Sequence, residues 1–348
     1  MKYPDFKHLN YCFDRLKKGY YSDKYFVRTG DILIKEKKHP RVLMQIFAKK
    51  NGIFCGGMEA TYVIKNSVSK SDGLSIKALK DGEPFSPWET VMTIEGDYSL
   101  FAHLETVYLG ILARRSAVAT LVRKCREKLH NKELLFFSSR FDHFLNQEGD
   151  GYAAFIGGAD GVSTDANGIL IGKKGIGTIP HGLIAAYNGN TVDASLAFDR
   201  CVPKDVRRIA LVDFDNDCVK TSLEVAKTLK KKLWGVRLDT AENLVDASIE
   251  RIGLKEKGVG PQLVRNVRNA LDKEGFDYVK IVISGGFNPE KIDQFVKLNV
   301  PFDAIGIGSY FFSERIDFTA DVVMVDGKPC AKVGRKYNPN DRLKTISI

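Results

Sequence analysis

Glycine and serine residues follow two consecutive apolar segments late in the sequence. The segments span 279–283 and 302–307, and the residues at their ends are Ser284, Gly285, Gly286, Gly308 and Ser309. A helical stretch opened by Asn288-Pro289 separates them, which is the pattern of a βα unit. Glycines at the carboxyl ends of parallel strands let backbone N–H groups approach an anion, although tight barrel turns also need glycine. Two such ends in succession favour a site for a phosphorylated small molecule.

Carboxylates and an arginine follow two further apolar segments. Asp213 follows the segment 209–212, and Arg237 and Asp239 end the segment 233–239. Side chains at strand ends point into a barrel mouth, where carboxylates can accept ribose hydroxyls or hold Mg²⁺, usually through water. Such residues also cap helices, and for Thr240 we favour a cap on a helix beginning near residue 241. Asp239 shares a strand face with Arg237, so we favour a site role for it, whereas either of two later aspartates competes with Asp213 as a cap.

A histidine and a second arginine are also candidates. His181 lies on the stretch 175–182, where glycines and a proline constrain the backbone. At a barrel rim a histidine can serve as a general base, a leaving-group ligand or a nucleophile toward phosphate, although a lone histidine is more often structural. Arg140 follows the apolar segment 134–137 and suits a carboxylate or a phosphate, with a rim salt bridge about equally common.

Secondary-structure patterns divide the chain into three regions. Residues 27–100 are predicted to form an antiparallel α+β domain with strands near 43–48, 60–65 and 91–95. A long helix is predicted over 101–130, and Arg115 on its apolar face indicates a polar site or a subunit interface, whereas Arg114 is ambiguous. From residue 134 strands alternate with helices, which favours a βα barrel over a doubly wound sheet. The tail 321–333 is predicted to be a hairpin returning to the first domain.

The alternating region is predicted in detail. Its first strands are placed at 134–137, 154–157, 209–212 and 233–238, before the two glycine-ended strands. Its helices are placed near 191–201, 217–231, 241–252, 261–274 and 289–298.

Composition narrows the class of protein. The 348 residues carry a net charge of +10 and are 44% hydrophobic. The first residues lack the apolar region of a signal peptide, and no apolar run approaches the ~18 residues of a membrane span. Six scattered cysteines without a CxxC pair predict reduced thiols in a cytoplasmic protein, with neither a zinc site nor a disulfide framework. The lysines are spread, so we expect no nucleic-acid and no membrane partner, and a non-catalytic anion- or nucleic-acid-binding barrel is the distant alternative.

Taken together, seven short motifs resemble those of nicotinate phosphoribosyltransferase, of the type II phosphoribosyltransferase family. They occur in the family's order at 20–26, 104–110, 157–163, 177–181, 237–240, 284–286 and 306–309. The resemblance implies an α/β fold with an incomplete parallel α/β barrel beside a smaller α+β sandwich domain formed by the N-terminal part and the C-terminal tail. It places the sandwich and its connecting helix at 1–130, the barrel at 131–314 and the returning segment at 315–348. It also implies a homodimer with shared active sites, possibly within a higher oligomer.

The resemblance assigns roles to individual residues. His181 matches the histidine that ATP phosphorylates, which couples ATP hydrolysis to product formation. Tyr25 matches the aromatic residue that stacks on the pyridine ring from the neighbouring subunit, and Arg140 matches the arginine at the base site. Arg114 lies in a stretch that also resembles quinolinate enzymes, which places it near the pocket. The implied reaction joins nicotinate to phosphoribosyl pyrophosphate, giving nicotinate mononucleotide and pyrophosphate in NAD biosynthesis.

The phosphoribosyl pyrophosphate site is assigned in the same way. Arg237 and Asp239 match the pair that contacts this substrate, with Asp239 acting through the ribose hydroxyls or through Mg²⁺. Asp213 matches a carboxylate whose following residues depart from the family's pattern. The implied 5′-phosphate cradle consists of Gly285, Gly286, Gly308 and Ser309, beside Ser284.

Two other pyridine substrates remain alternatives. Quinolinate requires more cations and no phosphorylated histidine, and nicotinamide requires a different contact to the ring substituent, for which Asp160 is the candidate. Many relatives carry two consecutive arginines where this chain has Arg140-Phe141. The way in which the substrate carboxylate is bound is therefore open at the level of the sequence.

Overall fold

The computed structural model describes residues 4–69, 71 and 73–346, so the predicted segments 1–130 and 315–348 each have an end outside the described residues. The described strands are β1 (Arg41–Ala48), β2 (Gly52–Ile53), β3 (Ser75–Ala78), β4 (Pro84–Phe85), β5 (Thr90–Asp97), β6 (Glu133–Phe136), β7 (Gly161–Val162), β8 (Arg208–Leu211), β9 (Leu233–Leu238), β10 (Lys280–Ile283), β11 (Ala304–Ile307), β12 (Phe318–Val325), β13 (Lys328–Pro329) and β14 (Lys344–Thr345).

The described α-helices are α1 (Phe13–Lys17), α2 (Lys24–Lys35), α3 (Gly57–Ser67), α4 (Tyr98–Phe101), α5 (Glu105–Leu129), α6 (Gln147–Gly157), α7 (Asp165–Gly168), α8 (His181–Ala186), α9 (Thr191–Cys201), α10 (Cys218–Leu229), α11 (Ala247–Glu250), α12 (Pro261–Lys273) and α13 (Pro289–Lys297). Short 3₁₀ helices occur at Phe6–Leu9, Ala102–Leu104, Ser139–Phe141, Phe144–Asn146, Ile169–Ile171, Lys230–Lys232 and Ser309–Phe312. Among the residues that the structure describes, every helix is too short or too polar to span a bilayer.

A curled parallel sheet forms an incomplete α/β barrel, as predicted. Its strands lie in the order β7-β6-β11-β10-β9-β8, so β7 and β8 are its two edges. Leu135, Ile209, Val282 and Ala304, from four different strands, pack together as a buried apolar cluster. Because such strands are covered on both faces, they appear in the sequence as continuous apolar runs, which is why most of them could be located in advance.

An irregular segment, residues 175–180, lies between the two edges of this sheet. The N–H of Ile176 donates to the carbonyl of Val162 in β7 at 2.7 Å, and the N–H of Ile179 donates to the carbonyl of Ile209 in β8 at 3.2 Å. This segment is an extended bridge and not a strand, since one hydrogen bond at each edge is too few to make a strand. His181 follows the bridge as the first residue of α8.

An antiparallel sheet forms the core of the smaller α+β domain. Its strand order is β13-β12-β1-β5-β3-β14, with β1 and β5 at the centre. β12, from the C-terminal segment, pairs with β1 over seven registered positions from Val42 to Ala48. Ile46, Ile64, Met92 and Tyr108 are among the side chains buried in its core.

The chain divides into two compact units whose boundaries differ from the predicted ones. The first contains residues 1–123, 148–157 and 312–348, and the second contains 124–147 and 158–311. Helix α6 thus belongs to the first unit, although 131–314 was predicted to be one domain. An ion pair explains why α6 belongs to the first unit, because Asp150 of α6 contacts Arg115 of α5 at 3.0 Å.

Two predicted strands are helices. Residues 60–65 lie within α3, and residues 154–157 form the end of α6. The first stretch is rich in β-branched and aromatic side chains, which favour strands locally. Tertiary packing overrides this preference, since Ala60, Val63 and Ile64 are fully buried on a helix.

The helix predicted over 241–252 is reduced to the four residues of α11, so Thr240 is not its cap. Asp246 is the cap instead, and its side chain accepts the N–H of Ser248 at 2.8 Å and that of Cys218 at 2.9 Å. Asp217 caps α10 in the same way by accepting the N–H of Lys220. These caps leave Asp213 and Asp239 available for other roles.

Candidate active site

A cavity of about 530 Å³ opens at the carboxyl ends of the parallel strands, within the second unit. Eight of the predicted site residues line it, namely Arg140, Arg237, Asp239, Ser284, Gly285, Gly286, Gly308 and Ser309. The two glycine-ended strands β10 and β11 are neighbours in the sheet, which brings their end loops to one place. This is the edge at which α/β barrels place their chemistry.

Arg237 is held in position by three side chains. Its Nε lies 3.1 Å from Ser284 Oγ, its Nη1 2.8 Å from Thr178 Oγ1 and its Nη2 2.7 Å from Asp239 Oδ2. The guanidinium also lies 5.7 Å from the centre of the Phe137 ring. A planar cation fixed on three sides presents its remaining N–H groups in a constant direction, which suits an oxyanion.

The loop that follows β10 has the conformation of an anion cradle. Gly285 and Gly286 have φ angles of +96° and +61°, which glycine adopts without strain. The Nζ of Lys291, in the first turn of α13, donates to the carbonyl of Gly285 at 3.2 Å. The pKa of Lys291 lies below its ordinary value because burial lowers it, and the charges of Glu242 and Glu256 offset only part of this effect. This loop therefore combines left-handed glycines with an adjacent cation, and the serine hydroxyl before it donates to Asp239 Oδ1 at 2.7 Å.

His181 is paired with Asp213 at the mouth of the barrel. The Nε2 of His181 lies 3.1 Å from Asp213 Oδ2, with the histidine side chain 49% exposed and the aspartate side chain 7% exposed. The pKa of Asp213 lies above its ordinary value because burial raises it. His181 opposes this rise, and the charge of Asp239 adds to it. The other carboxyl oxygen of Asp213, Oδ1, is buried without a hydrogen-bond partner. A half-exposed imidazole oriented by a buried carboxylate is the arrangement that activates a histidine for attack on an electrophile.

Two phenylalanine rings form the wall near the second glycine-ended strand. A Cβ atom at Gly306 would lie 2.3 Å from the Phe137 ring, and one at Gly308 would lie 2.4 Å from the Phe141 ring. Glycine at 308 is therefore required by a neighbouring ring as well as by any anion. Arg140 stacks its guanidinium 5.2 Å from the centre of the same Phe141 ring.

Asp160 does not line this cavity. Its Oδ2 accepts the N–H of Leu134 at 2.8 Å and the guanidinium of Arg126 at 2.7 Å. Leu134 lies at the beginning of β6, and the cavity is at the ends of the strands. The predicted contact of Asp160 with a ring substituent is therefore replaced by a structural ion pair.

Arg114 and Tyr25 lie in the first unit. Arg114 makes a bidentate pair with Asp150, at 2.9 and 2.7 Å. Arg115 is buried between Glu59 and Asp150, so the charge on the apolar face of α5 belongs to an ion cluster in the core of the unit. Tyr25 is 61% exposed on α2, and its contact with another subunit stays a prediction.

Sequence reasoning missed several residues of the site. Thr178 anchors Arg237, and Lys291 supports the glycine loop. Ser139 Oγ lies 2.8 Å from Ser163 Oγ and also lines the cavity. The signal for Lys291 was its place in the first turn of a helix that follows a glycine pair, a common position for an anion-binding cation. Thr178 carried no such signal, since only the fold brings it beside β9.

The first part of the chain matches a known family model. Residues 23–116 match the model of the quinolinate phosphoribosyl transferase N-terminal domain. Among curated proteins, a probable nicotinate-nucleotide pyrophosphorylase (carboxylating) of Methanothermobacter thermautotrophicus is 23% identical over 76% of this chain and 83% of its own length. A nicotinate phosphoribosyltransferase of Mycobacterium tuberculosis is 26% identical over 78% of this chain, which spans only 58% of that relative.

Solved structures cover nearly the whole chain. A nicotinate-nucleotide pyrophosphorylase from Pyrococcus furiosus is 33% identical, with a TM-score of 0.81 over 96% of this chain and 84% of its own. The human nicotinic acid phosphoribosyltransferase is 15% identical, with a TM-score of 0.69 over 89% of this chain and 75% of its own, so this similarity is one of fold.

Proposed function

This chain belongs to the family of quinolinate and nicotinate phosphoribosyltransferases of NAD biosynthesis, and we propose that its substrate is nicotinate. The proposed reaction joins nicotinate to phosphoribosyl pyrophosphate, releases pyrophosphate, and is coupled to hydrolysis of ATP through His181. The observation that carries this proposal is the His181–Asp213 pair at the mouth of the barrel. A phosphorylatable histidine has a use in the ATP-linked nicotinate reaction and none in the transfer to quinolinate.

The charges of the cavity support a substrate with one carboxylate. Its lining residues include two cations, Arg140 and Arg237. Arg237 pairs with Asp239 and its hydroxyl neighbours, and we assign its remaining N–H groups to the pyrophosphate oxygens. Arg140 thus supplies one guanidinium for a ring carboxylate, which matches nicotinate and leaves the second carboxylate of quinolinate without a partner.

The chain's own residues can perform the transfer. The C1′–O bond to pyrophosphate breaks and the pyridine nitrogen bonds to C1′, so positive charge develops on the ribose as the leaving group departs. The loop at Gly285 and Gly286 would hold the 5′-phosphate, and Arg237 would hold pyrophosphate oxygens in a fixed direction. Phe137 and Phe141 exclude water from one wall of the cavity, and Arg140 would orient the ring for attack.

The donor set also fits Mg²⁺, which the family implies. The buried Oδ1 of Asp213 has no hydrogen-bond partner, and Asp213 is close enough to Asp239 for each charge to affect the other. Carboxylate oxygens are the ligands that Mg²⁺ prefers. Asp213 and Asp239 would hold the ion, and the bound ion would neutralise charge on the departing pyrophosphate.

The ATP-linked step follows from the tautomer that the pair selects. The ionised Asp213 accepts a hydrogen bond from the Nε2–H group of His181. The other ring nitrogen, Nδ1, then carries no proton and has an exposed lone pair. Nδ1 would attack the γ-phosphorus of ATP, a bond would form between them, and the bond to the ADP oxygen would break. Water would later hydrolyse the phosphohistidine.

A direct assay tests both parts of the proposal. The protein is incubated with phosphoribosyl pyrophosphate and, separately, with nicotinate, quinolinate and nicotinamide, each with and without ATP. We expect nicotinate mononucleotide as the product, with a higher yield when ATP is present. Formation of carbon dioxide from quinolinate, with no product from nicotinate, would replace our proposal by the quinolinate reaction, for which the match of residues 23–116 is the argument.

Labelling isolates the role of the histidine. γ-Labelled ATP should leave acid-labile, alkali-stable phosphate on the wild type and none on His181→Asn. The variant should retain slow synthesis of nicotinate mononucleotide without ATP, because the glycine loop and Arg237 remain. As a matched control, His143→Asn changes an exposed histidine that caps a short 3₁₀ helix and should still be labelled. Absence of label on the wild type would make His181 a structural or pyrophosphate-binding residue.

A further inference from the structure

A second cavity lies at the amino-terminal ends of the parallel strands β8, β9 and β10, whereas the candidate active site lies at the carboxyl ends of the strands. It has a volume of about 370 Å³, and we call it the basal cavity. One of its lining side chains is anionic, Asp205, and six are cationic: Lys204, Arg207, Arg208, Lys231, Lys232 and Lys280. The lysines among them are spread along the sequence, and folding collects them in one place because three parallel strands begin there.

The basal cavity is separate from the candidate active site. Strand β9 carries Leu233 at one end and Leu238 at the other, and Arg237 and Asp239 lie at the second end. A strand of this length spans about 16 Å at a rise of about 3.3 Å per residue. A ligand in the basal cavity would therefore lie beyond the reach of the reacting atoms.

Some of these cations already have structural partners. Arg208 is 8% exposed and contacts Asp199 at 3.0 Å and the carbonyl of Val202 at 2.8 Å. Lys232 shares Asp199 at 2.7 Å. Arg207 lies 2.8 Å from Glu133, and Lys280 lies 3.2 Å from Asp303. These contacts hold the edge of the sheet together and neutralise most of the charge that they involve.

Lys204 and Lys231 have no carboxylate partner among the residues that the structure describes. The Nζ of Lys231 lies 3.6 Å from the centre of the Tyr278 ring, and the guanidinium of Arg207 lies 4.3 Å from that of Trp234. A face of each aromatic ring in the cavity is thus covered by a cation, so the rings position charge and offer little surface for a base to stack on. Two ammonium groups without an ion-pair partner lie in one concave site with four further cations and one carboxylate, which favours an anion with at least two charges.

We propose that the basal cavity binds a small ligand that carries two or more linked phosphoryl groups. Lysine ammonium groups bind phosphate oxygens through charge-assisted hydrogen bonds. The volume is at the lower end of the range for small-molecule sites, which excludes duplex nucleic acid from entering and suits a short phosphate chain. Such a chain can be a free inorganic oligophosphate or the tail of a nucleotide, and the shared chemistry is the phosphate chain.

Trp234 makes the site directly observable. The chain has two tryptophans, so in a Trp88→Phe background all tryptophan fluorescence comes from the basal cavity. Titration with inorganic tripolyphosphate at constant ionic strength should change this fluorescence saturably, and sulfate should not. Lys204→Ala/Lys231→Ala, in the same background, should weaken the apparent Kd about tenfold or more, since two charged donors are lost. Parallel titrations with ATP and AMP identify the source, because a nucleotide tail requires ATP to bind at least as well as tripolyphosphate and AMP to bind poorly.

Matched variants separate this site from general charge and from the active site. Lys220→Ala/Lys297→Ala removes two lysines from helix surfaces of the same unit and should leave the Kd unchanged. Arg237→Ala should also leave it unchanged. The proposal fails if no saturable change occurs, if the control pair weakens binding equally, or if the signal depends on Arg237. Tighter binding of a single-stranded oligonucleotide than of tripolyphosphate would replace it by a nucleic-acid surface.

Discussion

The carboxyl of Asp81, half-buried in the turn between β3 and β4 of the smaller domain, predicts a measurable dependence of stability on pH. Its Oδ1 accepts the N–H of Gly57 at 3.1 Å, and its Oδ2 accepts the hydroxyl of Tyr152 at 3.0 Å. Burial raises the pKa of Asp81 from its ordinary value of 3.8 to about 6, against the lowering effect of these hydrogen bonds, and the charge of Glu59 adds to the rise. The perturbation that tests this environment is Asp81→Asn, which keeps the shape of the side chain and removes its charge.

The sign follows from the order of the two pKa values. Because the folded-state pKa is higher, the folded protein holds this proton more tightly than the unfolded chain between about pH 4 and pH 6. Stability should therefore fall as the pH rises through this window, and above it the cost of the ionised carboxylate is constant at about 3 kcal/mol. Asparagine can accept from Gly57 and donate to Tyr152, so Asp81→Asn should match the wild type near pH 4 and exceed it by up to about 3 kcal/mol at pH 7.

Thermal unfolding from pH 4 to pH 8 measures this difference. For a unit of this size each kcal/mol shifts Tm by about 2–4 °C, so the variant should unfold about 6–12 °C higher at pH 7. Asp277→Asn, at an exposed aspartate, is the control and should follow the wild type throughout. Parallel curves for Asp81→Asn and the wild type would refute the reasoning, since they would mean that the carboxyl titrates equally in both states.

Three further predictions concern activity. Gly286→Ala should raise the KM for phosphoribosyl pyrophosphate about tenfold, because φ at Gly286 is +61° and the new Cβ would lie 1.8 Å from Glu242 Oε1. The control Gly110→Ala adds a Cβ in open space and should leave this KM unchanged. Arg237→Lys should lower kcat/KM about 100-fold, since lysine cannot hold its three partners together, whereas exposed Arg200→Lys should leave it unchanged. Tyr25→Ala and His181→Ala proteins, each with little activity alone, should regain part of the activity when mixed. No recovery despite demonstrated subunit exchange would contradict a shared site.

Much of the barrel could be predicted from the sequence because its strands are buried on both faces. Continuous apolar runs ending in Gly or Asp located β8 to β11 and the edge at which the cavity opens. Helical periodicity located α9 and α12 equally well. These signals are local, so a single pass along the chain detects them.

The failures arose where distant contacts decide the local structure. The β-branched stretch 60–65 becomes a helix because the core of the first unit covers it on several sides. Thr240 seemed to be a cap until the structure placed the helix start after Asp246. Asp160 and Arg115 are charged residues for which we predicted functional roles. Each instead forms an ion pair with a partner that only the fold brings close.

The bridge at residues 175–180 also bears on how the two edges of the parallel sheet are protected. An open parallel sheet has two edge strands, whose unpaired N–H and C=O groups can template association with other chains. Ile176 and Ile179 each occupy a backbone group on one of these edges. Substitutions that detach the bridge would free both edges and displace His181 at once, so aggregation and loss of activity should appear together in such variants.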